Sequence, residues 1–465
     1  MKGVIFQTDQ GNYYFYNDGS GVVVPVGDIR EFCSNIERLE SKNSSLLSPI
    51  TGEQVKTLLS DHGYRQLILI TTENCNLRCK YCAYSGHYFN MRSHRDRSMT
   101  TGIAKKAIEM YFQGFIESKA KNPYLIPTIS FYGGEPLLNF NLIRDTVIIA
   151  RRRYRGGILF TITTNGTILT DEVMDFLYEN DFVVSISLNG PSSEHDRTRV
   201  FPNGKGSFQT VWGNLQKLRS RYPSYYKRNC NLLVCYDVAT NLEEMENFFE
   251  SYRNDLPPIA RVLLISPYFT DWYDQYSDDQ KTIFRNSLQK SKQRFVDQLI
   301  KGSCPSSFLQ ALISTQYFPI LLRSQNAQAR LDCLPYTSTC IPGTKIAVDP
   351  QGQLHACERI NEWFPIGDVR RGLDYEKIAD LINLYRREIY PECINCPVTR
   401  VCTICYAAVA GNGYFERNPP DLCSRIRQSI KNKFAELWTM FELGITETQI
   451  LGPQRPKEFC EACEI

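Results

Sequence analysis

Seventeen cysteines in 465 residues, unevenly placed, constrain this chain more than any other feature. Three stand together at Cys75, Cys79 and Cys82, a second group runs from Cys333 to Cys423, and a pair closes the sequence at Cys460 and Cys463. Cys33, Cys230, Cys235 and Cys304 are scattered and read as core residues. The opening residues, MKGVIFQTDQGNYYFYNDGS, turn polar too soon for the apolar region of a signal peptide. A cytoplasmic location is therefore expected, where thiols stay reduced and disulfides are rare. Most of the cysteines are then expected to be metal ligands or catalytic thiols.

Other classes are excluded by composition. Hydrophobic residues make up 42% and aromatics 12%, enough for substantial cores. Lys+Arg 53 against Asp+Glu 50 gives a net charge of +3, without the basic excess of a nucleic-acid binder. No uninterrupted apolar run approaches the ~20 residues of a membrane helix. Length alone predicts about three domains.

Residues 1–65 read as a small α+β unit. GVIFQT, NYYFYN and GVVVPV are short β-rich runs, followed by helices over 28–42 and after Thr51. From Gln66 to about Ser266 strands and helices alternate. LILIT, TISFYG, ILFTIT, VVSISL, LLVCYDV and RVLLIS are the strands, with helices over 101–117, 171–179 and 208–219 among those between them. Such alternation predicts parallel pairing, and six units make a partial (β/α)6 TIM-type barrel of the α/β class. A surface helix is expected over 278–300 and an amphipathic one over 424–443. Beyond Arg330 the chain becomes rich in Cys, Pro and Gly and is expected to need metal to fold. The expected division is 1–65, a barrel over 66–300, a linker over 301–332, a Cys-rich domain over 333–430, and a helix with an acidic tail over 431–465.

ITTENCNLRCKYCAYSG places Cys75, Cys79 and Cys82 on the loop after the first barrel strand, at the end where such barrels hold their active sites. Three thiolates fit a 4Fe–4S cluster with one iron left open. A zinc site is the alternative, with His87 an ill-placed fourth ligand. This spacing, with Tyr81 before the third cysteine, resembles the signature of radical S-adenosylmethionine (SAM) enzymes. In that family the open iron is chelated by SAM, whose cleavage yields a 5′-deoxyadenosyl radical. The resemblance continues in FYGGEP, where Gly133, Gly134 and Glu135 match the motif that receives the SAM amino group, Glu135 offering it a negative acceptor. It extends to TTNG and SISLNGP, where Asn165 and Ser187 match ribose and carboxylate contacts. Ordinary strand-end turn chemistry also accounts for these two. Arg199 resembles the arginine that pairs with the SAM carboxylate. The family's Ser-Leu-Asp-Gly is here Ser187-Leu188-Asn189-Gly190, which removes a charge.

Cys340, Cys357, Cys393, Cys396, Cys402, Cys405 and Cys423 resemble the SPASM domain, a C-terminal extension of radical SAM enzymes that modify peptides and proteins. One departure is Cys402-x2-Cys405, where the family commonly has three intervening residues. The resemblance implies three 4Fe–4S clusters in all. One auxiliary cluster would take Cys393, Cys396, Cys402 and Cys423. The other would take Cys340, Cys357 and Cys405 and lack a fourth ligand. Ile346 stands where some relatives carry one, and Cys333 is a possible substitute. A pair of zinc ribbons is the alternative for the whole group. Cys460 and Cys463 read as a spare thiol pair, with a transient ligand or redox role as the alternative.

The N-terminal unit resembles the winged-helix-like element with which many peptide maturases bind a leader peptide as an added strand. A plain capping subdomain is the alternative. The implied function is a maturase that joins a Cys sulfur to a carbon of another residue in a ribosomally synthesised precursor peptide. A low-potential donor such as flavodoxin or ferredoxin would supply electrons; neither nucleic acid nor membrane is an expected partner. Rival readings are an anaerobic sulfatase-maturing enzyme, for which Glu358 after Cys357 would be the acid/base group, a carbon–carbon crosslinking or epimerising maturase, and a zinc-binding structural module.

Overall fold

The computed structural model describes residues 2–27, 29–30, 32, 48–88, 90–323, 340–417 and 420–452. The helix expected over 28–42 lies largely outside these residues, as do Cys33, Cys333, Cys460 and Cys463.

The first strands, β1 (Gly3–Gln7), β2 (Tyr13–Asn17) and β3 (Val23–Val26), form an antiparallel meander. Short Gly- and Asn/Asp-containing turns join them, as expected of such a pattern. The barrel strands are β4 (Gln66–Thr72), β5 (Thr128–Gly133), β6 (Leu159–Thr164), β7 (Val183–Ser187), β8 (Cys230–Tyr236) and β9 (Ile259–Leu264). They pair in parallel and in chain order, so the α/β partial barrel stands as expected.

Side-chain alternation explains the barrel. Ile129 and Phe131, Phe160 and Ile162, and Leu232 and Val234 are buried, and successive residues of a strand face opposite sides. Ser130 and Thr161 come between the first two pairs, and Asn231 precedes Leu232. The Gln66 amide donates to Ser130 Oγ at 2.6 Å, and Ser130 Oγ lies 2.7 Å from Thr161 Oγ1. Polar residues are thus linked from β4 across β5 to β6.

Beyond residue 340 the Cys-rich segment also forms strands. Strands β10 (Lys345–Val348), β11 (Gln353–His355), β12 (Gly367–Asp368) and β13 (Gly372–Leu373) extend the barrel sheet to ten strands. β10 lies parallel to β4, with Lys345 opposite Gln66 and Val348 opposite Leu69. The alternation in KIAV and the turn DPQG announce this hairpin, which the Cys-rich composition masked.

Two other segments differ from the expected division. Within 301–332, Ser307–Leu321 is a helix packed on β9, with Phe308, Leu309, Leu312, Ile313 and Tyr317 buried. The helix Gly52–His62, grouped with β1–β3 in the sequence reading, packs on the helices Tyr375–Glu388 and Thr101–Lys121. Asn383 fixes its approach by hydrogen bonds to both backbone groups of Ile50. No helix among the described residues is long and apolar enough to cross a membrane.

Candidate active site and auxiliary thiol groups

The loop that follows β4 carries Cys75, Cys79 and Cys82. Its return at Ser98 bridges back to Thr72. Backbone N–H groups turn toward two of its sulfurs: Leu77 donates to Cys75 Sγ and Tyr84 to Cys82 Sγ, both at 3.4 Å. Burial pushes the Cys75 thiol up to about 12 and the Cys82 thiol to about 11. Such thiols hold their protons until a metal displaces them. N–H donors aimed at sulfur and three mutually interacting thiols are a donor set that fits an iron–sulfur cluster. His87 turns away, with Nδ1 2.7 Å from Asp271 Oδ1. Among the described residues no three His, Cys, Asp or Glu side chains converge closely enough to hold a single metal ion.

The glycines of FYGGEP serve this loop. Gly133 has a φ of +141°, and a Cβ there would lie 2.2 Å from Thr72 O. A Cβ on Gly134 would lie 2.2 Å from Asn74 O. Removing both side chains lets the end of β5 bond directly to the loop, from Gly134 N to Thr72 O and from Glu135 N to Asn74 O, both at 2.9 Å.

Glu135, the expected acceptor for the SAM ammonium, is fully buried. Its Oε1 takes Thr164 Oγ1 at 2.7 Å and Leu137 N at 3.1 Å, and its Oε2 takes Asn165 N at 2.7 Å. Burial raises its pKa against those donors. The carboxylate braces the end of β6. Asn165 in turn donates to Asn76 Oδ1 at 2.8 Å and approaches Cys75 Sγ at 3.8 Å. Ser187 ends β7 half-buried.

Tyr81, Asn189, Arg199 and Cys235 meet beyond Cys79. The Tyr81 hydroxyl accepts from Arg199 Nη1 at 2.8 Å and from Asn189 Nδ2 at 3.1 Å. The Cys235 thiol neighbours that hydroxyl. This gives the asparagine a physical role: its amide donates where an aspartate would compete for the tyrosine proton. Asn189 is held by accepting Cys235 N and donating its own N–H to His195 Nδ1. That bond leaves the His195 proton on Nε2, 3.0 Å from Ser207 Oγ, which donates to Arg199 O. Burial keeps His195 neutral, well below the usual range.

Two further thiol groups lie toward the C-terminus. Cys402 interacts electrostatically with Cys393, Cys396 and Cys423, and burial pushes its thiol up to about 12. Cys340, Cys357 and Cys405 surround the buried Tyr406. Ile346 is sealed within β10 opposite Leu67. Glu358 lies within electrostatic reach of Tyr84 and of Tyr132 on β5, so the loop after β11 faces the barrel end near Cys82.

The sequence reading placed the scattered cysteines in the core. Cys230 is buried, but Cys304 is exposed on the segment before the Ser307–Leu321 helix. Cys235 is only partly buried and neighbours Tyr81, Arg199, Cys79 and Arg359. Its alternation with buried Leu232 and Val234 was the signal that it faces inward. Arg359, beside Glu358, was also missed.

Residues 69–251 match the family model described as the Radical SAM superfamily. Over those residues, less than half of the chain, it is similar to that superfamily. It is an enzyme, and the similarity implies SAM and a 4Fe–4S cluster as cofactors. Over 187 residues it is 29% identical to a cysteine-type anaerobic sulfatase-maturating enzyme of Clostridium novyi, covering 40% of this chain and 47% of that protein. Over 371 residues it is 24% identical to the radical SAM cyclopropyl synthase TigE of Paramaledivibacter caminithermalis, covering 77% of this chain and 69% of that protein. The structure of native anSMEcpe with bound AdoMet and Kp18Cys peptide has the same fold, with a TM-score of 0.58 at 19% identity, over 81% of this chain and 98% of that one.

Proposed function

We propose that this enzyme is a peptide maturase that installs thioether crosslinks from a Cys to another residue of a ribosomally synthesised precursor peptide. The observation that carries the reading is the division of the C-terminal thiols. Cys402 and three neighbouring thiols form a group of four, and three others lie around Tyr406. Three protein thiols on a 4Fe–4S cluster leave a position for the substrate thiolate, and with the SAM cluster the enzyme holds three clusters. Metal binding would deprotonate and fix that sulfur. When bound, SAM and its cluster supply a radical that removes a hydrogen from the acceptor carbon. Glu358, next to Cys357, would take the thiol proton, and the one electron released when the carbon radical bonds to the held sulfur would pass to the auxiliary cluster. β3 is an edge strand with Val24 exposed, as is Val22 just before it, and the leader adds there as a further strand.

The test uses enzyme reconstituted anaerobically with iron and sulfide, and a Cys-containing peptide encoded beside the gene. The expected product is lighter by two hydrogens and has one cysteine that no longer alkylates. A product of that mass whose cysteines all still alkylate makes the enzyme a carbon–carbon crosslinking catalyst. Formylglycine formation is the second reading, supported by Glu358 directly after Cys357 and by the sulfatase-maturating relatives. It gives an aldehyde that a hydrazine reagent captures.

A further inference from the structure

Arg359 follows Glu358 in the loop after β11. It is exposed, and its side chain makes no hydrogen bond or ion pair with a described residue. Yet groups from both halves of the molecule surround it. Tyr132 on β5, Cys235 on β8 and Tyr88 from the cysteine loop lie within its electrostatic reach. On its other side are Cys357 and Cys405. Arg359 is therefore an exposed guanidinium that stands between groups of the radical SAM loop and barrel and the Cys357 and Cys405 thiols.

The other charged groups leave it without a partner. Arg199 is engaged with the Tyr81 hydroxyl at the Cys79 end. Glu358 is adjacent in sequence but forms no ion pair with Arg359. Burial keeps Tyr132 and Tyr88 protonated, so the neighbouring hydroxyls are neutral. A guanidinium is a rigid planar fork that matches a carboxylate with two parallel hydrogen bonds.

We propose that Arg359 is a substrate-carboxylate site: an aspartate or glutamate side chain of the peptide docks on its guanidinium, between the SAM end of the site and the Cys340, Cys357 and Cys405 group. This rests on the maturase reading and adds the substrate class, a cysteine peptide with an acidic residue close to the modified one. The docked carboxylate would hold the peptide across the gap that separates hydrogen abstraction from the sulfur.

Binding of synthetic peptides to the reconstituted enzyme tests it. Two short peptides, acetylated and amidated, carry one Cys and differ only in Asp against Asn. The Asp peptide should bind about ten- to a hundredfold more tightly, as a charge-assisted bidentate pair does. R359Q should erase the difference, and R359K should keep part of it. The assignment is overturned if R359Q weakens both peptides equally, leaves the preference intact, or weakens SAM instead. Failure of both peptides to bind also overturns it. An Asn peptide with a free C-terminal carboxylate that binds as well as the Asp peptide would move the contact from a side chain to a chain end and sink the assignment. The readout is binding alone. Asp selectivity without any thioether product would therefore remove the maturase reading and leave this site standing.

Discussion

Asp237 shows how one residue holds the arginine end of the site. It lies fully buried just beyond β8. Arg197 donates to both of its oxygens, at 2.8 and 3.1 Å, and the Tyr276 hydroxyl donates at 2.8 Å. Arg197 also pairs with Glu194, and two residues later comes Arg199. Burial works to raise the Asp237 pKa, but Arg197 and the other donors outweigh it and hold the carboxyl below the usual range. A carboxylate of this kind stabilises the fold fully above its unfolded pKa of about 3.9. That contribution is lost as pH falls through the lower folded value. D237N should cost about 1–3 kcal/mol at neutral pH, discounted because Arg197 is partly exposed. It should also flatten the fall of Tm with acid. Equal acid slopes in the variant and the wild type would show that the pair carries no such linkage.

At the scale of elements, the contact between the end of β5 and the cysteine loop makes a sharper prediction. Gly134 packs against backbone, which cannot step aside as a side-chain tip can. G134A should leave the circular dichroism near wild type but lower the iron retained at the first cysteine group, because the loop must move off β5. Full iron loading of G134A would show that the approach is not needed. The six barrel strands were legible because each carries an apolar run bounded by turn residues, and a strand covered on both faces cannot hide that signal. β10 and β11 were not, because two short strands among cysteines and prolines offer little periodicity. The partners of Glu135 were hidden for another reason: a motif names a residue type, whereas its burial depends on β6 arriving alongside. The packing of Gly52–His62 on Tyr375–Glu388 joins residues more than three hundred apart in sequence, a distance over which no local pattern reports.

Across the whole molecule, the N-terminal meander is fastened to the far end of the chain. Phe434 is fully buried in the helix Pro420–Glu442, with ring centroids 4.4 Å from Tyr16 and 5.4 Å from Phe6. Asn12 and Tyr14 both donate to Glu442 at 2.9 Å. The turn after β2 is held by Arg400, which stands between Cys396 and Cys402. Its backbone N–H donates to Asp18 Oδ1 at 2.8 Å, and its guanidinium donates to Asp18 O and Gly19 O. One contact surface therefore joins β1–β3, the helix whose first turn carries Cys423, and the loop that carries two other thiols of the same group. F434A removes a buried ring and should cost about 3–5 kcal/mol. If the meander and the thiol loop are one cooperative unit, hydrogen exchange should rise together in β1–β3 and in residues 396–402, while the barrel strands stay protected. Faster exchange in β1–β3 alone would mean that the Arg400 contact is passive and that the meander moves independently of the thiol loop. A joint rise would mean that a leader peptide bound at β3 acts on the same unit as the Cys402 thiol group, since the contact that transmits loosening also transmits ordering.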